Sequence, residues 1–419
     1  MKEYSTDSIR NIALVSHSSA GKTMMTEAFL HFTGATTRLG KIEDGTTVSD
    51  FDDEEKRRTI SLYSTVIPIE YKDKKINVLD TPGYNDFIGE VVSALSVSDG
   101  ACVLLDSVSG REVGTEIAWK YVNKFNLPRI VVVNKMNREN ADFKKAMASL
   151  ADYTDMRLIQ VQIPWGEKLD FRGVIDILTM KAYDGAENKI VDIPAEYMEE
   201  AQQLRAALTE AAAESDEELM EKFFESMELS DEEILRGFSK AVKNGDFVPV
   251  YCAAGGQEIG VAPLLDAFIN LMPSPAERKP IVVKDKKGND VEISCNDSGP
   301  LVAYVWKTTA DPFVGKQTFL RVYSGMLTSD SRIWNSTRSV EERYGNLNIP
   351  MGKDNIPVKT VHAGDICSVS KLSETVTGDT FSDKANPLNV PVPEYPHALY
   401  RVAVYPKTQA DSTKISPTL

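Results

Sequence analysis

Long apolar runs are missing from this chain of 419 residues. No stretch approaches 18 uninterrupted apolar residues, and the opening Met1-Lys2-Glu3-Tyr4-Ser5-Thr6-Asp7 has no apolar signal region. A membrane span and an export signal are therefore not expected, and a cytoplasmic location is. Cysteine is scarce: Cys102, Cys252, Cys295 and Cys367 lie far apart and make no C-x-x-C pair. That spacing argues for reduced thiols rather than a zinc site or a disulfide framework. His17, His31, His362 and His397 are too scattered for a metal cluster. Trp119, Trp165, Trp306 and Trp334 are equally dispersed and offer no stacking platform for single-stranded nucleic acid. Positive charge is short as well, since 47 Lys and Arg stand against 62 Asp and Glu, a formal net charge of −15. Direct binding to DNA through a basic coat is thus not expected. Residues 191–236 hold 15 acidic and three basic residues, a solvated helical face that accounts for much of the excess. Oligomeric state leaves no mark in the sequence, and a monomer is the default.

What is present is enough length for two or three cores. Residues 16–23, Ser-His-Ser-Ser-Ala-Gly-Lys-Thr, stand between the apolar run Ile12-Ala13-Leu14-Val15 and a helical pattern that begins at Met24. A buried strand turning sharply into a helix aims backbone N–H groups and the positive end of the helix dipole at one point, which suits a polyphosphate. In such a loop Lys22 reaches the β- and γ-phosphates and the Thr23 hydroxyl holds Mg²⁺. Ser16 takes the place of the first glycine of the general G-x-x-x-x-G-K-[ST] pattern. Further apolar runs at 76–79, 101–105 and 130–133 alternate with amphipathic stretches, which predicts a parallel sheet with helices on both faces. Two of them end in polar sequences, Asp80-Thr81-Pro82-Gly83 and Asn134-Lys135-Met136-Asn137. Ligands bind beyond the carboxyl ends of such strands, so three loops are expected to converge there.

The expected fold is an α/β P-loop nucleotide-binding domain over 1–280 with an inserted α-rich subdomain near 165–245, an antiparallel β-barrel over 281–388, and the beginning of a third α+β domain over 389–419. The insertion rests on the charged, alanine-rich pattern at 194–227, broken at Ser215-Asp216. The sheet pattern resumes at 247–252, and a helix at 261–271 precedes Met272-Pro273-Ser274-Pro275. Beyond a linker at 275–298, β runs are predicted at 301–306, 318–323, 331–334 and 362–369. Residues 401–405 read as a lone strand before a helix from Gln409, too little to bury a core, so the chain is expected to stop inside that third domain. The acidic run at 50–55 is read as a solvated face rather than a metal site.

Taken together these loops resemble the translational GTPases, and most closely the elongation factor G family. His17 to Thr23 matches the family's H-x-D-x-G-K-T, Arg58-Thr59-Ile60-Ser61 its R-G-I-T, Asp80-Thr81-Pro82-Gly83 its D-T-P-G-H and Asn134-Lys135-Met136-Asn137 its N-K-M-D. Gly260-Val261-Ala262-Pro263-Leu264-Leu265-Asp266 resembles the end of its nucleotide domain, and Arg321-Val322-Tyr323-Ser324-Gly325 and Ala363-Gly364-Asp365-Ile366 its second domain. The resemblance implies GTP and GDP with Mg²⁺ as ligands and the ribosome as partner. It implies nucleotide contacts from His17, Ser18, Ser19, Ala20, Gly21, Lys22, Thr23, Asp80, Gly83, Asn134, Lys135, Asn137, Ala254 and Gly255. Thr23 and Ser61 would hold Mg²⁺ directly and Asp80 through water, and Gly83 would sense the γ-phosphate.

Four departures qualify the resemblance. Tyr84 stands where the family has the histidine that helps place the attacking water, and a phenol with pKa near 10 replaces imidazole poorly, so GTP hydrolysis involving Tyr84, Gly83 and Lys22 is expected to be slow. Ser19 replaces an aspartate and Thr59 a glycine. Asn137 replaces the carboxylate that accepts two hydrogens from guanine; an opposed buried contact costs about 1–3 kcal/mol and shifts preference toward xanthine. The Ala254 amide could still contact guanine O6. A divergent relative that hydrolyses GTP slowly on the ribosome is the leading expectation. A nucleotide-gated ribosome-binding protein with little or no hydrolysis is the alternative, and a P-loop ATPase unrelated to translation is a third reading.

Overall fold

The computed structural model describes residues 1–311, 315–398 and 400–418. Its first layer is built on β1 (Ile9–Val15), in which every residue is buried. A strand covered on both faces must be apolar almost throughout, which is why it reads as a continuous run rather than an alternation. α1 (Lys22–Phe32), the short α2 (Asp53–Arg58), β2 (Thr65–Tyr71), β3 (Lys74–Asp80), α3 (Ile88–Ser96), β4 (Gly100–Asp106), α4 (Val113–Lys124), β5 (Arg129–Asn134), α5 (Phe143–Ala151) and β6 (Arg157–Gln160) follow. The insertion carries β7 (Gln162–Trp165), β8 (Gly173–Asp176), β9 (Lys181–Asp184), β10 (Lys189–Val191), α6 (Met198–Glu214), α7 (Glu217–Ser226) and α8 (Asp231–Asn244). β11 (Phe247–Cys252) and α9 (Val261–Leu271) complete the layer.

Seven strands lie in the order β2-β3-β1-β4-β5-β11-β6. All neighbours are parallel except β2 and β3, which pair as an antiparallel hairpin through Lys72 and Asp73. Both turn residues have positive φ, 45° and 58°, the geometry of the tightest hairpin connections. The sequence reading did not place β2, whose Pro68 argues against an interior strand. Position on the sheet edge removes the objection, because one side of an edge strand needs no ladder donor. Alternate residues of β1 face two cores. Ile12 and Leu14 pack with α1 and α9, while Ala13 and Val15 pack with α3, α4 and α5. The insertion holds the expected helices, preceded by a four-stranded antiparallel sheet, β10-β9-β8-β7, that the sequence reading left undivided.

The second layer begins with β12 (Ile281–Asp285), β13 (Asp290–Ile293), β14 (Val302–Asp311) and β15 (Gly315–Ser324). β14 and β15 sit at the centre of an eight-stranded barrel-like sheet around Val305, Leu320, Leu347, Val369 and Phe381. Of the predicted strand at 362–369 only the second half forms, Ile366–Ser370 pairing with β15, while a two-residue strand just before the range, Thr360–Val361, pairs with Leu327–Thr328. Between them Gly364 turns with φ 93°, and a Cβ there would stand 2.6 Å from Pro275. This turn docks on the first domain, where Lys75 Nζ donates to both Asp365 oxygens at 2.8 Å, both residues being buried. Asn77 Nδ2 donates to Asp365 at 2.9 Å as well. Removing one partner of such a buried pair costs about 3–5 kcal/mol, so these contacts hold the barrel in one position against the nucleotide domain.

Residues 401–405 make no strand, contrary to the expectation. Val402 and Val404 are 66% and 57% exposed, and no neighbouring strand supplies a ladder among the described residues. The helix after them is present as Gln409–Thr418.

Candidate nucleotide-binding site

Three strand ends deliver the site. β1 runs into a loop whose Ser19 and Gly21 have φ of 63° and 99°, and Gly21 caps α1 in the left-handed region. A Cβ on Gly21 would meet Asn134 Nδ2 at 2.5 Å, so glycine lets the phosphate loop lie against the end of β5. Asn134 ties the two together: Nδ2 donates to Ala20 O at 2.9 Å, and Oδ1 accepts from Gly255 N at 3.0 Å. Lys135 Nζ donates to Ser19 O. The third loop presses closer still, since a Cβ on Gly83 would lie 2.6 Å from the backbone of Ser18 and 2.7 Å from Lys22 Nζ.

Lys22 is buried and donates to Ser16 Oγ at 3.0 Å and to His17 O at 3.1 Å. Burial pulls its ammonium down to about 8, against the attraction of Asp80 and Asp50. Thr23 Oγ1 lies 3.1 Å from Ser61 Oγ, so the hydroxyl pair expected around Mg²⁺ is brought together across 38 residues. Asp80, at the end of β3, accepts from Ser49 Oγ at 2.7 Å through Oδ2, while its buried Oδ1 has no partner among the described residues. Lys22, Thr23, Ser18, Ser19, Gly21, Ser61, Gly83, Tyr84 and Lys135 line one cleft of about 380 Å³.

Asp50 also lines that cleft, and the sequence reading missed it. The run 50–55 is solvated only in part: Asp53 is exposed and Asp52 and Glu54 are half-buried, but both ends are buried. Asp50 is 5% exposed with an unpartnered Oδ2 among the described residues, and burial, reinforced by Asp80, pushes its carboxyl up to about 7. Glu55 is 1% exposed and accepts from Leu62 N at 2.9 Å and Tyr63 N at 3.1 Å. The signal available in the sequence is the pair Asp52 and Glu55, which forms the capping box of α2. Asp106, at the end of β4, was likewise unmarked; its Oδ2 lies 3.1 Å from Lys135 Nζ and accepts from Arg138 Nη1 at 3.2 Å.

Other expected contacts are placed differently. The His17 ring turns away from the phosphate loop: Nδ1 accepts from Gly114 N at 3.2 Å and Nε2 faces Glu112 at 3.6 Å. Its imidazole thus braces the start of α4, and only its carbonyl serves Lys22. The Ala254 N–H donates to Ile259 O at 3.0 Å and is not free for a base. Asn137 is half-buried and makes no side-chain hydrogen bond among the described residues. Tyr84 stands 42% exposed at the mouth of the cleft.

The strand order, the glycine-capped helix and the lysine held by the Ser16 hydroxyl and the His17 carbonyl define a P-loop GTPase domain. Residues 7–274 match the elongation factor Tu GTP binding domain and residues 300–384 match elongation factor G domain 2. The chain belongs to the translational GTPase family, and its second-domain match sets it with elongation factor G. It is 37% identical over 416 residues to elongation factor G of Fervidobacterium nodosum and to that of Rhodopseudomonas palustris, covering 98% of this chain and 60% of each relative. A solved protein from Thermus thermophilus superposes with a TM-score of 0.85 at 33% identity, over 98% of this chain and 60% of that one. The chain therefore spans about three fifths of the length of these relatives. Among the described residues no helix is long and apolar enough to cross a membrane.

Proposed function

We propose that this chain binds GTP and GDP in the cleft over Lys22, hydrolyses GTP slowly, and acts on the ribosome in elongation or a related step. The observation that carries the reading is the convergence of Lys22, Thr23, Ser61 and Asp80 from three separate loops on one buried point. Lys22 is positioned for phosphate oxygens, and the loop Ser18-Ser19-Ala20-Gly21 offers backbone N–H groups to them. The fit to Mg²⁺ rests on the unpartnered oxygens of Asp50 and Asp80 beside the Thr23 and Ser61 hydroxyls, a hard-oxygen set. Among the described residues no three His, Cys, Asp or Glu gather as a metal cage, so phosphate oxygens would complete the sphere. When bound, the ion would neutralise phosphate charge.

At the base end Asn134 holds Gly255 and Ala20 in place, whereas Asn137 offers guanine one acceptor where two hydrogens each need one. GTP binding with relaxed selectivity against XTP follows. The ribosome enters through the likeness to elongation factor G, whose whole length this chain does not cover. Gated binding without turnover is the second reading, and the exposed Tyr84 in place of a histidine favours it. Equilibrium binding of labelled GTP with Mg²⁺, competed by XTP and ATP, tests the ligand; multiple turnovers with and without ribosomes separate the two readings. Preference for ATP would overturn both.

A further inference from the structure

Where the nucleotide domain meets the barrel-like domain, the end of α3, the segment after α9 and β15 enclose a cavity of about 190 Å³. It shares no lining residue with the nucleotide cleft. Its wall is rich in guanidinium and poor in acceptors. Arg321, on β15, is 2% exposed, and its Nη2 donates to the Asp99 oxygens at 3.0 and 2.9 Å. Its Nε–H and Nη1–H have no acceptor among the described residues. Among the described residues Arg278 donates only to Asn126 O, at 3.4 and 3.5 Å, the far limit of a hydrogen bond. Lys279, exposed to solvent, adds a third cation at the rim. Asp99 is the one carboxylate among the described lining residues, and Asn11 Nδ2 already donates to it at 2.6 Å in addition to Arg321.

Buried donors without acceptors and neighbouring cations without enough anions raise the free energy of the empty arrangement. Burial lowers the Arg278 guanidinium from its ordinary value, Asp99 works against that, and Arg321 adds to it. Planar guanidinium forks present paired donors to tetrahedral oxygens. We infer that this interdomain cavity binds a small oxyanion of the phosphate class between Arg278 and Arg321. Three cations against one engaged carboxylate match a dianion better than a monoanion. A ligand there touches both domains at once and strengthens their junction.

The cavity carries its own reporter. Cys295 lines it and is half-buried, whereas Cys102, Cys252 and Cys367 are buried. Burial pushes the Cys295 thiol up to about 12, so alkylation is slow and can be timed at alkaline pH. The experiment measures the alkylation rate of each cysteine by iodoacetamide, by peptide mass spectrometry, in phosphate and in chloride of equal ionic strength. Phosphate is expected to slow Cys295 saturably, by fivefold or more, without changing Cys102. Arg278→Gln should weaken the half-saturating phosphate concentration by about tenfold while leaving the rate in chloride unchanged. Equal rates in phosphate and chloride would overturn the inference, as water would then satisfy Arg321. Slowing by acetate alone would overturn the phosphate class, and unaltered slowing in Arg278→Gln would place the anion elsewhere. If all four thiols of Arg278→Gln react quickly, Lys279→Gln takes its place. Broadening of the phosphorus-31 line of phosphate, measured in Lys22→Ala to silence the nucleotide cleft and lost when Arg278→Gln is added, decides the question independently of thiol chemistry.

Discussion

At the phosphate end of the cleft, Lys22, Thr23, Asp80 and Ser61 are knit by side-chain contacts of 2.7–3.1 Å to Ser16, Ser49 and one another. At the base end, Asn137 is half-buried without a side-chain partner among the described residues, and the Ala254 amide is committed to Ile259. On the proposed reading, the first end keeps the residues that would grip charge and the second lacks the carboxylate that would read guanine. That reading puts affinity and selectivity in different loops, so each should change without the other.

The largest expected effect lies at the phosphate end. Lys22→Ala removes a charged donor, each such bond being worth about 1.5–3 kcal/mol, so GDP affinity should fall at least about a hundredfold by equilibrium titration. Retention of affinity would mean that backbone amides alone grip the phosphates, and the comparison would collapse. Asn137→Asp should raise affinity for GTP and lower that for XTP, changing the ratio by about ten- to a hundredfold for about 1–3 kcal/mol. An unchanged ratio in competition assays would show that selectivity comes from another group.

A smaller effect concerns Asp50. Its folded-state proton is held more tightly than in the unfolded chain, so the folded form keeps a proton that the unfolded form releases above about pH 4. The stability from this group is complete below that pH and is lost as pH rises to about 7. Without nucleotide or Mg²⁺, urea midpoints should fall between pH 5 and 7.5 by an amount worth about 1 kcal/mol or more, and Asp50→Asn should flatten the fall. Smallest is Tyr84→Phe, which removes a hydroxyl exposed at the cleft mouth. Single-turnover GTP hydrolysis should change less than about threefold, whereas Tyr84→His should raise it by about tenfold or more by restoring an imidazole. A large loss in Tyr84→Phe would make the phenol a participant and contradict slow chemistry.

Much of the nucleotide domain was legible because its strands are buried on both faces and its loops carry unusual residue types in fixed order. β4, β5, β11 and α9 fall on the apolar runs and helical pattern read from the sequence. β2 escaped because edge position, which excuses Pro68, is a property of the sheet and not of the segment. Asp50 and Glu55 escaped because an acidic run looks solvated until the loop folds back, placing Asp50 beside Asp80 and Glu55 under two backbone amides. The strand expected at 401–405 failed for the converse reason: local β propensity forms no ladder without a partner.

By itself the sequence determined which segments bury apolar faces, where the glycines permit close approach, and which residues could meet a phosphate, because these depend on side-chain type and spacing along the chain. Tertiary structure alone decided that His17 braces α4, that the Ala254 amide is already engaged, and that Thr23 and Ser61 stand 3.1 Å apart. It also placed Arg278 beside Arg321 across a domain boundary, with donors left over. Hydrogen-bond satisfaction and charge balance are sums over neighbours in space, and contacts such as Thr23 with Ser61, 38 positions apart, or Arg321 with Asp99, 222 apart, have no local signature in the chain.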